Sequence, residues 1–222
     1  MASPKDDGAK IRKIHQFFFD FGDGKLLADF PVFAESHRAW SAMDGWQYTL
    51  WTEPMVETLI DANCPEFSPT YESFKYPIQR LDIAKYLVAH HTGGLVADLD
   101  ILPKCHADKI VGDGVPYLFD RCTRKRIVAN DFFYVGAQGL PGLFDDLASN
   151  KARLDAIEAY KCRKMRYVFH STGPDFFSRC LKRTDLDTYT VAISDRIFLD
   201  QREARRSVSV PEPQIRVVHH FN

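Results

Sequence analysis

Residues 80–103 read RLDIAKYLVAHHTGGLVADLDILP. In the first half, Leu81, Ala84, Tyr86, Leu87 and Val88 recur at spacings of three and four, which predicts a helix with an apolar face. Arg80, Asp82 and Lys85 are its charged members, and Gly93 and Gly94 stop it. LVADLDILP then predicts an apolar strand running to Pro103, broken in its interior by Asp98 and Asp100. Aspartate is a poor strand former and costly to bury. Two of them two residues apart in a strand project from one face and repel, unless a cation lies between them or one is protonated. Oxygen-only ligands suit Mg²⁺ or Mn²⁺, ions that keep waters and complete their shell from phosphates. On this stretch alone the plainer alternative, two acids capping the loop at a strand end, stays open.

Upstream, Ile11–Phe19 (IRKIHQFFF) is apolar enough for a buried strand of a mostly parallel sheet. Helical periodicity covers Phe30–Met43, alternation covers Trp46–Trp51, a short helix is expected over Pro54–Ala62, and Cys64–Tyr76 reads as a loop holding Pro65 and Pro69. Strand, helix, strand, helix is the order of α/β layering. Downstream, Val115–Asp120 and Phe132–Val135 read as strands either side of the basic segment Arg121–Arg126. A run of that kind is usually a solvated loop. Pro141–Leu147 and Leu154–Tyr160 read as helices, Thr172-Gly173-Pro174 as a loop before another, and residues 213–222 as a strand ending in His219 and His220.

The chain has 222 residues, enough for one domain with a proper core. No internal repeat or linker divides residues 11–222, and residues 1–10 read as a disordered tail. A net charge of −1 gives no argument for nucleic acid. Five widely spaced cysteines without a C-x-x-C pair read as free thiols in a reducing compartment. The polar start MASPKDDGAK shows no hydrophobic leader or membrane segment, so the expectation is a cytoplasmic protein or the catalytic domain of a longer one. Oligomeric state is not legible.

Arg80, Asp82, Ile83, Lys85, Tyr86, Gly93, Gly94, Asp98 and Asp100 together match R-x-D-I-x-[RK]-Y, a helix, G-G, then D-x-D. In these residues the sequence resembles the DXD-containing glycosyltransferases of family 32. The resemblance is tight over 80–103 and looser elsewhere: Lys13–Phe17 match most of a K-I-I-H-Q-x-[WF] strand, and Thr172-Gly173-Pro174 match a T-G-P hallmark. It implies a GT-A fold, a single Rossmann-like α/β domain with a mostly parallel central sheet flanked by helices. It also implies a metal-dependent transferase moving a sugar from a nucleoside-diphosphate sugar, UDP- or GDP-linked, to a glycan or other hydroxyl acceptor.

By that resemblance Asp100 is the direct ligand of Mn²⁺ or Mg²⁺, Asp98 contacts ribose and metal, and His219 or His220 completes the shell. His15, Phe17, Arg80, Asp82, Lys85, Thr172, Gly173 and Pro174 fall to donor binding, and Asn130 to the lining of the donor sugar. Lys85 stands where some relatives have arginine, so a point charge replaces a planar fork. The resemblance favours retention, whereas inversion needs a carboxylate base, for which Asp131 and Asp175 are the candidates. A hydrolase using the same acids and a catalytically inactive nucleotide-sugar-binding module stay open as alternatives.

Overall fold

The computed structural model of the chain describes residues 12–122, 127–155, 164–191 and 198–199. β1 (Arg12–Phe17), β2 (Trp46–Trp51), β3 (Gly94–Ala97), β5 (Tyr117–Cys122), β6 (Ile127–Val135) and β7 (Thr190–Val191) form one six-stranded sheet in the order β2-β1-β3-β6-β5-β7. β1 pairs in parallel with β2 and β3, and β5 with β7; β6 alone runs against its neighbours. β4 (Leu102–Pro103) pairs separately with β8 (Phe198–Leu199). The expected α/β layering with a mostly parallel sheet is the one observed.

The sheet is covered on both faces because its strands alternate. Ile14, Leu95, Ala97 and Phe132 pack with Trp40 of α1 (Pro31–Ser41) and with Ile101 and Ile110. Phe17, Val96, Phe119 and Phe133 point the other way, onto α2 (Glu53–Asn63), α4 (Pro77–Thr92) and α7 (Pro174–Arg183). α5 (Leu143–Asp155) and α6 (Lys164–Ser171) complete that second layer. α4 is the hub: every residue from Asp82 to Ala89 is buried, as expected of a helix enclosed on several sides.

The two glycines that end α4 have different reasons. Gly93 closes the helix at φ 63°, a conformation that side chains with a Cβ resist. Gly94 has φ 117°, and a Cβ there would lie 2.6 Å from His15 Nε2 and 2.8 Å from the Lys13 carbonyl. The pair therefore turns the chain and lets β3 enter against β1 in one step.

Three expectations need correcting. β3 ends at Ala97; Asp98–Asp100 form a turn closed by Ile101 N–H donating to the Asp98 carbonyl at 3.0 Å, so the acids follow the strand and do not interrupt it. Cys64–Tyr76 is not all loop, since Pro65–Phe67 form a 3-10 turn and α3 (Ser68–Glu72) follows, burying Phe67 and Tyr71 against α2 and α4. The central antiparallel strand is longer than expected, beginning at Ile127. The tail at 1–10, most of the expected helix at 154–160, and the final strand with His219 and His220 lie outside the described residues. Cys64, Cys105 and Cys180 are free thiols, as expected. Among the described residues no helix is long and apolar enough to cross a membrane.

Candidate active site

Parallel strands place their carboxyl ends together, and ligands of open α/β sheets bind outside that edge. Here the edge is formed by Phe17, Trp51 and Ala97, with the start of β6 facing it. Asp98 follows β3 directly, and its amide donates to the Asp131 carbonyl at 2.8 Å, which extends the ladder one residue into the turn.

From that turn a cleft of about 410 Å³ opens. It is lined by Asp98 and Asp100, by Phe17, Phe18, Phe19, Phe30 and Phe33, and by Ile78 and Leu81 of α4. Asp23 and Lys25, an ion pair at 3.0 Å, stand at the rim with the exposed Phe21. A lining that combines aromatic rings with paired carboxylates suits a ligand that carries both a flat ring and a metal-bound anion.

Beside the turn lies a buried polar network. Gln79, Asp82, Lys85 and Tyr86 occur at helical spacings of three and four, so α4 presents them as one stripe. Lys85 Nζ donates to both carboxylate oxygens of Asp98, at 2.6 and 2.9 Å, and lies 3.8 Å from Asp82 Oδ1. Asp82 Oδ1 accepts from Asn130 Nδ2 at 2.9 Å, and its Oδ2 accepts from Thr172 Oγ1 at 3.1 Å. Tyr86 O–H accepts from Asn130 and donates to the Thr172 carbonyl at 2.8 Å. Gln79 donates to Ser171 Oγ at 2.7 Å, so the T-G-P junction is tied to α4 at three successive turns.

Burial pushes the Asp82 carboxyl up, against the opposing pull of Lys85, Thr172 and Asn130. Burial, with the neighbouring carboxylates of Asp100 and Asp131, pushes Asp98 up to about 7 despite Lys85. Desolvation draws the Lys85 ammonium down, but Asp98 and Asp82 outweigh it and hold it above its ordinary value. The ammonium therefore stays charged, which is what buried carboxylates beside it require.

The structure gathers Asp98, Asp82, Lys85, Asn130, Asp131 and Thr172 around one turn, with Asp100 and Phe17 on the cleft. Gly173 and Pro174 enter as backbone: Gly173 caps α7, with Phe169 Cα 3.1 Å from where a Cβ would sit, and Pro174 starts that helix. Arg80 is not among them, because it is paired with Glu53 at the start of α2.

His15 is also elsewhere, 1% exposed beneath the sheet edge. Trp51 Nε1–H donates to its Nδ1 at 3.0 Å, so Nε2 carries the hydrogen and donates to the Gly93 carbonyl at 2.8 Å. Its burial and these two bonds support a structural role in place of the expected donor contact, holding β2 and the α4 terminus to β1. Asp175 is held by His170 at 2.9 Å and Arg179 at 3.2 Å. Ser171 carries no sequence signal for the network, whereas Gln79 and Tyr86 carry one in their helical spacings from Asp82.

Burial lowers the His15 pKa from 6.5 to about 4. The unfolded chain then binds a proton between those values that the folded one refuses, so stability present above pH 6.5 is lost as the pH falls towards 4. The contribution is up to about 3 kcal/mol. Urea unfolding at pH 7 and 4.5 should show the loss, and His15→Asn should flatten it.

The donor set at the turn fits a hard divalent ion. Asp98 and Asp100 offer oxygens only, and Mg²⁺ or Mn²⁺ is commonly held by one or two carboxylates plus substrate phosphates. Among the described residues no group of three or more His, Cys, Asp or Glu side chains is arranged to hold a metal ion alone.

Residues 34–114 match the family described as glycosyltransferase sugar-binding region containing DXD motif. Inositol phosphoceramide mannosyltransferase 1 of Schizosaccharomyces pombe is 40% identical over 135 residues, 61% of this chain and 40% of that protein. Mannosyl phosphorylinositol ceramide synthase CSH1 of Saccharomyces cerevisiae is 42% identical over 55 residues, 25% of this chain and 15% of that protein. The match thus spans well under half the length of these relatives. Among solved structures, PaToxG Glycosyltransferase aligns with a TM-score of 0.54 at 14% identity, covering 79% of this chain and 69% of that one. The fold is therefore of the GT-A type.

Proposed function

We propose, from the match of residues 34–114 to a glycosyltransferase sugar-binding region containing a DXD motif, that the chain moves a sugar from a nucleoside-diphosphate donor to a hydroxyl acceptor, using Mn²⁺ or Mg²⁺ held at Asp98 and Asp100. The observation that carries the reading is the aromatic cleft ending on those two acids. The relatives' names supply the proposed sugar, mannose, and a lipid-linked inositol as the proposed acceptor class.

Phe17 and its neighbours receive the nucleobase, whose flat face matches theirs. A divalent ion, when bound, stabilises the charge that gathers on the diphosphate leaving group. Asp100 is its principal ligand, and His219 or His220 is the proposed further one. Lys85 keeps Asp98 oriented from behind, while Asp82, Asn130 and Thr172 hold the side of the site where the donor sugar would lie. Positioning of this kind supplies much of a transferase's barrier reduction.

Retention of configuration is the preferred stereochemistry on family grounds. For the inverting alternative Asp131 is the better base, because it adjoins Lys85 and the turn while Asp175 is engaged by His170 and Arg179.

A thermal-shift panel of UDP-glucose, UDP-galactose, UDP-N-acetylglucosamine and GDP-mannose, each with and without Mn²⁺, tests the reading. GDP-mannose is expected to stabilise the protein only with metal, by about 2.7 kcal/mol at a hundredfold excess over Kd. A panel flat in every arm would reject it.

A further inference from the structure

Behind the turn, on the α1 face of the sheet, lies a second polar network whose centre is fully buried. Gln16, Ser36 and Trp40 are each 0% exposed. Gln16 Nε2 donates to Ser36 Oγ at 2.9 Å and to the Asp98 carbonyl at 3.3 Å. Ser36 Oγ donates to the Ile101 carbonyl at 2.6 Å, and Trp40 Nε1 donates to the same carbonyl at 2.9 Å. Gln16 Oε1 accepts from Tyr48 O–H at 2.9 Å, and His37 Nδ1 lies 2.8 Å from that hydroxyl.

The direction of these bonds is consistent. The Tyr48 hydroxyl hydrogen points at Gln16, so His37 donates to Tyr48, Tyr48 to Gln16, Gln16 to Ser36, and Ser36 to Ile101. Reversing the Gln16 amide would set its oxygen against the Asp98 carbonyl, so the chain of donors also fixes the amide. Both carbonyls it reaches bracket the D-x-D, and neither side chain of the pair is used. With the Asp98 amide on Asp131 and the Ile101 amide on Asp98, the backbone of the turn is held on both sides while its carboxylates line the cleft.

We propose that Gln16 is a positioning residue for the D-x-D turn, holding the main chain of Asp98–Ile101 through its side-chain amide with Ser36 and Trp40 as its continuation. The role rests on the metal-site reading above. Hydrogen bonds behind metal ligands set ligand orientation, and their removal commonly weakens metal affinity 10–100-fold.

Two readouts test it in the full chain. Mn²⁺ alone is titrated by the electron-spin-resonance signal of the free ion, and amide exchange at Ile101 is followed in metal-free protein. Gln16→Met is expected to weaken Mn²⁺ binding about 10–100-fold and to speed exchange at Ile101, with amides of the β1–β3 ladder unchanged. Tyr117→Phe, which loses a buried hydroxyl bonded to the Gly139 carbonyl away from the turn, is the control and should change neither readout. Ser36→Ala removes Gln16's acceptor and one donor to Ile101, and carries the same two measurements if Gln16→Met does not fold. Wild-type exchange at Ile101 in both variants, whatever their melting temperature, would overturn the proposal. If wild-type protein binds no Mn²⁺, the metal reading fails, and the exchange result decides the positioning role alone.

Discussion

Asp100→Asn is expected to lower the rate of sugar transfer by about 10²–10³-fold, the cost of deleting one preorganised electrostatic group at a site of developing charge. The substitution is close to isosteric, and Asp100 is half-buried at the cleft, so the fold should tolerate it. The comparison with Asp98→Asn separates the two acids. Asp98 takes both of its closest contacts from Lys85, so its loss should cost stability as well as rate. Steady-state rates across a Mn²⁺ series read the difference. For Asp100→Asn the required metal concentration should rise sharply, and an unchanged rate and metal dependence would remove Asp100 from the metal site.

Lys85→Met should cost roughly 3–5 kcal/mol of folding stability, the penalty for leaving a buried charge without its partner. Lys85 is 2% exposed and Asp82 6%, so water cannot replace the ammonium without opening the α4–β6 contact. For a chain of this size that is a drop of about 6–20 °C in Tm. The double-mutant cycle with Asp98→Asn isolates the pair, because removing both charges should cost less than the sum of the two single losses, by about 0.5–3 kcal/mol. Lys85→Arg keeps the charge and should retain metal binding, at a packing cost of about 1–3 kcal/mol for the larger head group. A Lys85→Met protein as stable as wild type would mean that Asp82 and Asp98 are neutral in the fold.

The lysine illustrates what could and could not be read in advance. Against a family arginine, Lys85 looked like a weakened sugar contact, because sequence carries no hint that its partner is Asp98, thirteen residues on and across a helix terminus. Arg80 is the opposite case. Helical residues advance about 100° each, so Arg80 and Asp82 point some 200° apart and do not share a site. The spacing itself argues against one donor contact shared by both, and so does the pairing of Arg80 with Glu53.

The α/β layering, β2 and the span of α4 followed from periodicity and glycine placement. The end of β3 did not, since LVADLDILP keeps its apolar character straight through the turn; only the low strand propensity of aspartate marked the break. The tie between Thr172 and Asp82 spans ninety residues, and no periodicity reports a contact of that range. The T-G-P motif marks the segment, and the fold supplies a physical reason: a side-chain hydroxyl and a backbone carbonyl both bonded into α4. His15 sits in an apolar strand, a setting equally open to a hydrogen-bonded core histidine and to a nucleotide contact; its burial and its bonds to Trp51 and the Gly93 carbonyl support the first.

Everything proposed for the site requires that the turn after β3 bind a divalent ion which in turn binds a donor diphosphate. The most direct measurement is anomalous scattering at the manganese edge from crystals grown with Mn²⁺ and GDP. The expected result is one manganese peak at Asp100, with the diphosphate on it and the guanine against Phe17–Phe19. A peak away from Asp98 and Asp100, or a nucleotide bound with those two acids untouched, would contradict it.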